Sequence, residues 1–248
     1  MSVIYVLWLR ELKRYVRSRV QIVASLGQPM LYLLALGFGM GPIFEKAGQG
    51  SYIQFVAPGI IAMTVLFSSI FSGMGLLWDR QFGFLKETLV APVPRIQIML
   101  GRTLGAATVA MCQGFLVAMI CLAAGFRAHD LAMLPLALGF MALIACLFSA
   151  LGTAIGSALE NIQGFQMIMN FLVLPIFFLS GALYPLGNLP AGLRVATRLD
   201  PLSYGVDGLR STLIGVSHFG LATDALVLLV GTILFLLLGR HLFSKIQV

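Results

Sequence analysis

IQFVAPGIIAMTVLFSSIFSGMGLLW, residues Ile53 to Trp78, runs for 26 residues without an Asp, Glu, Lys or Arg. An α-helix rises about 1.5 Å per residue, so roughly 20 apolar residues cross the hydrocarbon core of a bilayer. Outward from this tract, Val20–Gly41, Thr103–Phe126 and Leu131–Leu159 are equally free of charge. So is Asn161–Leu193, whose spanning part is expected to end near Tyr184. A sixth tract, Leu221–Phe243, holds Asp224 near one end and Arg240 near the other, where side chains can snorkel to the interface. The expected spans are therefore 20–41, 53–78, 103–126, 131–159, 161–184 and 221–243. Strands of a membrane barrel alternate over about ten residues, whereas Phe171–Leu179 (FLVLPIFFL) does not. The fold class is all-α integral membrane protein with six transmembrane helices.

Composition agrees. The 248 residues are 59% hydrophobic and 10% charged, with a mean hydropathy of +0.98; soluble domains carry about 25% charged residues. A soluble enzyme, a coiled coil, a disulfide-stapled secreted module and a disordered tail are excluded. The net charge of +7 reports orientation rather than nucleic-acid binding. With both termini in the cytoplasm, eleven Lys and Arg fall inside and five outside, the positive-inside bias. The turn at Glu160 holds no Lys or Arg, so its sidedness follows from the helix count.

Residues 1–19 place Tyr5, Trp8, Leu9, Leu12, Tyr15 and Val16 at helical spacing, with Arg10, Lys13, Arg14 and Arg17 on the other side. This reads as an amphipathic helix lying in the cytoplasmic interface on membrane lipids, not as a secretory signal, because no small-residue cleavage site follows. Cys112, Cys121 and Cys146 lie inside spans and read as small packing residues, not metal ligands.

The middles of the spans lack Asp, Glu, His, Lys and Arg, the residues that carry proton and ion coupling within membranes. His129, His218 and His241 fall in loops or at span ends, and no phosphate-cradling GxxxxGK[ST] loop occurs. The chain is thus expected to be no enzyme, to bind no cofactor or metal, and to draw energy from another polypeptide. The contact for that polypeptide is expected in residues 79–94, within DRQFGFLKETLVAPVPR (Asp79–Arg95). Asp79 fits an N-cap and Pro92 and Pro94 a stop, which leaves a helix of ~20 Å with Trp78, Phe82, Leu85 and Leu89 on one face. Gly83 inside it weakens the helix by ~1 kcal/mol relative to Ala. Such a helix either engages a soluble partner or rests on the headgroups.

SYIQFVAPGIIAMTVLFSSIFSG followed by WDRQFGFLKETLVAPVPR resembles the second span and coupling helix of ABC-2 type permeases, the membrane subunits of ATP-binding-cassette exporters. FLSGALYPLGNLP and LDPLSYGVDGLR resemble the family's segment between the fifth and sixth spans. The likeness is greatest to bacterial drug-resistance and nodulation-factor exporter permeases and covers essentially the whole chain. It implies that Phe84, Leu85 and Glu87 in FLKETL belong to a coupling helix that docks on an ATPase, with Asp79 and Arg80 at its start; Phe82, on the apolar face, joins these as a candidate ATPase-coupling residue. It also implies a homodimer or heterodimer of permeases with two ATPase chains, ATP and Mg being held by those chains. Residues 185–220 would form short helices re-entering the outer leaflet, and the location would be the cytoplasmic (inner) membrane of a bacterium or archaeon.

Two polar stripes are candidates for a substrate path at a dimer seam: Thr64, Ser68 and Ser72 on the second span, and Gln163, Gln166 and Asn170 on the fifth. Alternatively the hydroxyls bond to their own helix carbonyls and the amides hold helices together. GRTLG (Gly101, Gly105) and GTAIG (Gly152, Gly156) are small-xxx-small pairs for close packing. Pro29, Pro58, Pro135 and Pro175 read as kinks. A lane without fixed charge suits an amphipathic, lipid-like or drug-like substrate. A polysaccharide or glycolipid exporter, a scaffold or sensor that binds an ATPase, and a channel are the alternatives.

Overall fold

A computed structural model describes residues 2–46, 51–85, 93–186 and 190–244. Among these every regular element is helical, and six helices are long and apolar enough to cross a membrane. The helices are α1 (Val3–Arg17), α2 (Arg19–Lys46), α3 (Tyr52–Phe71), α4 (Gly73–Gln81), α5 (Arg95–Ala123), α6 (Leu134–Ala158), α7 (Ile162–Leu179), α8 (Ala191–Leu199), α9 (Pro201–Ile214) and α10 (Leu221–Ser244). α3 and α4 form one span, Tyr52–Gln81, tightened at Ser72, whose N–H bonds the carbonyl of Ser69 rather than that of residue 68.

α3 is the central helix and packs against α2, α5, α6 and α9. Its buried side chains, Val56 to Leu66 among them, meet Phe140, Ile144 and Phe148 of α6, and Phe165, Met169 and Phe177 of α7, in one core. Glycines set the closest approaches. A Cβ on Gly152 of α6 would meet the carbonyl of Ile70, and one on Gly73 would meet the carbonyl of Gly152. The small-xxx-small pair of α6 is therefore what lets its backbone touch the α3–α4 joint. The other pair receives α1: a Cβ on Gly101 would lie 3.0 Å from the Leu7 Cβ, and one on Gly105 2.9 Å from the Glu11 Cβ. The Trp8 indole N–H donates to the Thr108 hydroxyl at 2.9 Å, which locks α1 to α5.

Several boundaries differ from the sequence expectation. The third span begins at Arg95, not Thr103, because Arg102 is neutralised within the bundle and so does not mark the end of the helix. Pro135 sits in the first turn of α6, where its missing N–H costs nothing, while Pro58 and Pro175 lie inside α3 and α7. Asp224 does not reach outward: it is 0% exposed, in the first turn of α10.

The end of the bundle opposite α1 is closed by α9, which packs on α3, α6 and α10. α7 stops at Gly181, whose φ of 70° suits glycine. Buried Arg210 donates to the Gly181 carbonyl at 3.1 Å and lies 4.1 Å from the centre of the Phe55 ring. Burial pulls this guanidinium down to about 10, so it remains charged at neutral pH. Asp207 accepts from the N–H groups of His218 and Phe219 and fastens that turn to α9.

Asp200 joins α8 to α9 and caps α9 by accepting from the Leu202 N–H at 2.9 Å. Burial pushes its carboxyl up to about 7, against the opposing bonds from Leu202 and Ser203. A carboxyl raised above its unfolded value of 3.8 contributes stability at low pH that is lost as pH rises toward 7. Asp200→Asn, neutral and still able to cap, is expected to match the wild type near pH 4 and to exceed its unfolding temperature at pH 8. Equal pH profiles of the unfolding temperature in detergent would refute this.

Candidate functional site

The last turn of α4 carries the first of the sequence-selected residues. Asp79 is 9% exposed and points into the bundle, where it pairs with Arg102 of α5 and, at 2.6 Å, with Arg10 of α1. Arg10 also reaches Glu11 at 3.2 Å. One carboxylate thus ties three helices together. Burial of these charges is sustained because each has an opposite charge in contact. Arg80, on the other side of α4, donates to the Leu159 carbonyl at 3.3 Å and reaches exposed Glu160 at 3.4 Å.

The expected single helix starting at Asp79 is not formed. Asp79 and Arg80 continue α4, which ends at Gln81, and Gly83 follows at φ 81°. A glycine in the left-handed region one position past the C-cap is a helix stop, so Gly83 terminates α4 instead of weakening a loop helix. The apolar stripe is split by this turn. Phe82 and Phe84 are 66% and 55% exposed, whereas Leu85 is 1% exposed, sunk in a cluster with Leu7, Leu76, Ile98, Met99 and Phe243. Leu85 therefore anchors the chain to α1, α4, α5 and α10, and among the described residues of the loop the two phenylalanines present exposed apolar surface. Glu87 and Leu89 lie outside the described residues.

A cavity of about 550 Å³ opens beside this knot, between α1, α2, α3–α4 and α5. Thr64, Ser68 and Ser72 all line it. The hydroxyls of Thr64 and Ser72 are already bonded to their own helix, at the carbonyls of Ile60 (2.9 Å) and Ser69 (2.5 Å). The wall they form is consequently less polar than their identities suggest. Met63, Phe67, Phe71 and Met74 supply the apolar remainder of the α3–α4 wall, and Glu11, Arg14 and Tyr15 of α1 the side opposite.

Gln163, Gln166 and Asn170 are not brought to this cavity. They lie exposed on α7, whose inward face is Phe165, Met169, Val173 and Phe177. The two stripes occupy separate surfaces of one chain.

Sequence reasoning does not single out Arg102, Arg14, Tyr15 or Gln113 as site residues. Gln113 has a signal of its own, a lone amide in the middle of a span; it is buried and lines the cavity. Tyr15 stands out only as part of the apolar face of α1. Burial holds its phenol above the ordinary value, so it is a neutral hydroxyl.

Residues 2–214 match the ABC-2 type transporter family. The chain belongs to that family. Among its relatives, the inner membrane transport permease YadH of Escherichia coli strain K12 is 29% identical over 242 residues, covering 96% of this chain and 93% of that one. Nodulation protein J of Rhizobium leguminosarum bv. trifolii is 29% identical over 196 residues, 78% of this chain and 74% of the other. A putative transport permease, ycf38, of Cyanophora paradoxa is 27% identical over 244 residues, 93% and 83%. This ABC-2 permease is accordingly a multi-pass inner membrane protein and the permease subunit of an ABC transporter. ABC-2 permeases in general work with an ABC ATPase.

Proposed function

We propose that this ABC-2 permease exports an amphipathic, lipid-like or drug-like substrate by alternating access, with both termini and the α1 end of the bundle in the cytoplasm. The observation that carries the reading is the placement of the 550 Å³ cavity. Its wall is the hydroxyl stripe of α3–α4, and the same helix leads directly into Phe82, Phe84 and Leu85. Two ATPase chains, holding ATP and Mg, would grip the loop 79–94 through Phe82 and Phe84. Leu85 and Asp79 then pass the movement on: the first is packed against Leu7 of α1 and the second is ion-paired to Arg10 of α1. α1 forms one wall of the cavity, so a pull on the loop shifts that wall relative to α3, a rigid-body element driven by its partner.

The exposed Gln163, Gln166 and Asn170 suit contact with a second permease chain, identical or related. Unpaired amides facing lipid are costly, so a partner or water must meet them.

The test is reconstitution with the ATPase partner in liposomes and measurement of ATP hydrolysis and transport with a panel of amphiphiles. Hydrolysis stimulated by one compound class supports export. ATPase binding without any stimulated hydrolysis supports the scaffold or sensor reading, and stimulation only by lipid-linked sugars the glycolipid exporter. Phe82→Asp combined with Phe84→Asp is expected to weaken ATPase association about 10-fold or more, as loss of exposed aromatic anchors does, with insertion unchanged. Unaltered association in a pull-down would refute docking through these residues.

A further inference from the structure

The charges around the cavity do not cancel. Glu11 and Arg14 are the charged residues of its lining, and Asp79, Arg10 and Arg102 form the knot beside it; both carboxylates are taken, Asp79 by Arg102 and Arg10, Glu11 by Arg10. Three arginines stand against two acids, and the arginine left over is Arg14, which has no acidic partner within 4.0 Å among the described residues. Its guanidinium lies against Gly75 at the cavity wall, where an ideal Cβ would be in ordinary contact, 3.6 Å from Nη1. From the Arg14 guanidinium at Gly75 the cavity lining follows α3–α4 back to Met63. Those twelve residues correspond to ~18 Å at 1.5 Å each, about the ~15 Å of one leaflet's hydrocarbon. The wall beyond Arg14 is dominated by Phe67, Phe71, Met63 and Met74. A long apolar slot with one unneutralised cation at its interfacial end is the complement of a single amphiphile bearing a negative headgroup.

We infer that this cavity binds an anionic phospholipid of the leaflet facing α1, its phosphate on Arg14 and one acyl chain along α3 toward Met63. The inference rests on the proposed reading of the cavity as the seat of an amphiphile and adds to it the charge class of the occupant. Gln28 at the wall adds a neutral polar group, and the net positive charge favours phosphatidylglycerol over zwitterionic lipid.

Trp78 lines the cavity and Trp8, bonded to Thr108, does not; they are the two tryptophans of the chain. The full-length Trp8→Phe variant therefore reports on the site through Trp78. It is reconstituted without ATPase or ATP in vesicles of brominated phosphatidylglycerol or brominated phosphatidylcholine at matched fractions, so that lipid recognition is read separately from export. Quenching is expected to show a preference of about five-fold for phosphatidylglycerol, the effect of one basic side chain near an anionic headgroup. Arg14→Gln is expected to bring the ratio to about 1, Arg14→Lys to retain most of it, and Lys13→Gln, an exposed cation of α1 outside the cavity lining, to leave it in place. Ser68→Phe, which fills the slot, is expected to lower quenching by both lipids. An Arg14→Gln ratio equal to wild type, a Lys13→Gln loss as large as that of Arg14→Gln, or unchanged quenching in Ser68→Phe would each overturn the assignment.

Discussion

Asp79→Leu is expected to destabilise the protein by about 3–5 kcal/mol, the cost of removing one partner of a buried ion pair. Arg102 is 7% exposed, and its only carboxylate among the described residues is Asp79. With that carboxylate gone, a guanidinium is left almost wholly buried in the bundle without a counter-charge among the described residues. Arg10 is also released, but its side chain is 38% exposed and can turn to solvent, so most of the loss arises at Arg102. The double variant Asp79→Leu, Arg102→Met is expected to recover most of the stability, because replacing both members of a buried pair by apolar groups is often neutral. Unfolding midpoints in detergent, compared across the two single variants and the double, measure the coupling. A single variant that unfolds with the wild type would mean that the three-helix knot carries no stability. The double variant is also informative for function: α1 and α4 would remain packed but no longer ion-paired, and the proposed transfer of movement from loop to cavity wall would weaken while ATPase binding persists.

The second large effect is expected on α6. Gly152→Ala places a Cβ against the backbone carbonyl of Ile70, which cannot move aside as a side chain can, so α6 must separate from the α3–α4 joint. Overpacking of this kind costs about 1–3 kcal/mol and sometimes more. Gly139→Ala in the same helix is the control, since nothing lies within 4 Å of a Cβ there. It is expected to be neutral or to stabilise by up to ~1 kcal/mol through helix propensity. The same substitution in one helix should thus act with opposite signs at two positions. Equal effects on the unfolding midpoint would show that the close contact at Gly152 is not a constraint.

The six apolar tracts, the helix of residues 3–17 and the two small-xxx-small pairs are legible in the chain itself, because each is a local property. Hydropathy over 20 residues, a 3.6-residue period and glycines four apart depend on neighbours in the chain and on the solvent that the segment must enter. The partner of each small pair is not legible: Gly101 and Gly105 receive α1, and Gly152 and Gly156 receive the α3–α4 joint. Gly83 reads by propensity as a flaw in a helix, although its use is to end one. Periodicity places Leu85 on the same apolar stripe as Phe82, yet a left-handed residue two positions before it changes the direction of the chain, and Leu85 packs inward while Phe82 stays exposed. The hydroxyl and amide stripes look equivalent in one dimension. They separate because α3 is enclosed by four helices while α7 has one buried face.

Charges mark the same division most sharply. Along the chain, Asp79, Arg102 and Asp224 look like boundary residues and Arg210 like part of a loop, since an ion in a low-dielectric medium is costly and a tract is expected to end where one occurs. That cost is set by the partner and not by the sequence position: Arg102 stays inside because Asp79 meets it from another helix, and Arg210 because a carbonyl and the Phe55 ring do. Hydrophobic content is enough to establish a six-span membrane protein and a short motif enough to suggest its family. The surplus charge on Arg14 among the described residues emerges only once folding has paired Glu11 and Asp79 with other arginines, because counter-charges are assigned by proximity in space, which chain order does not encode.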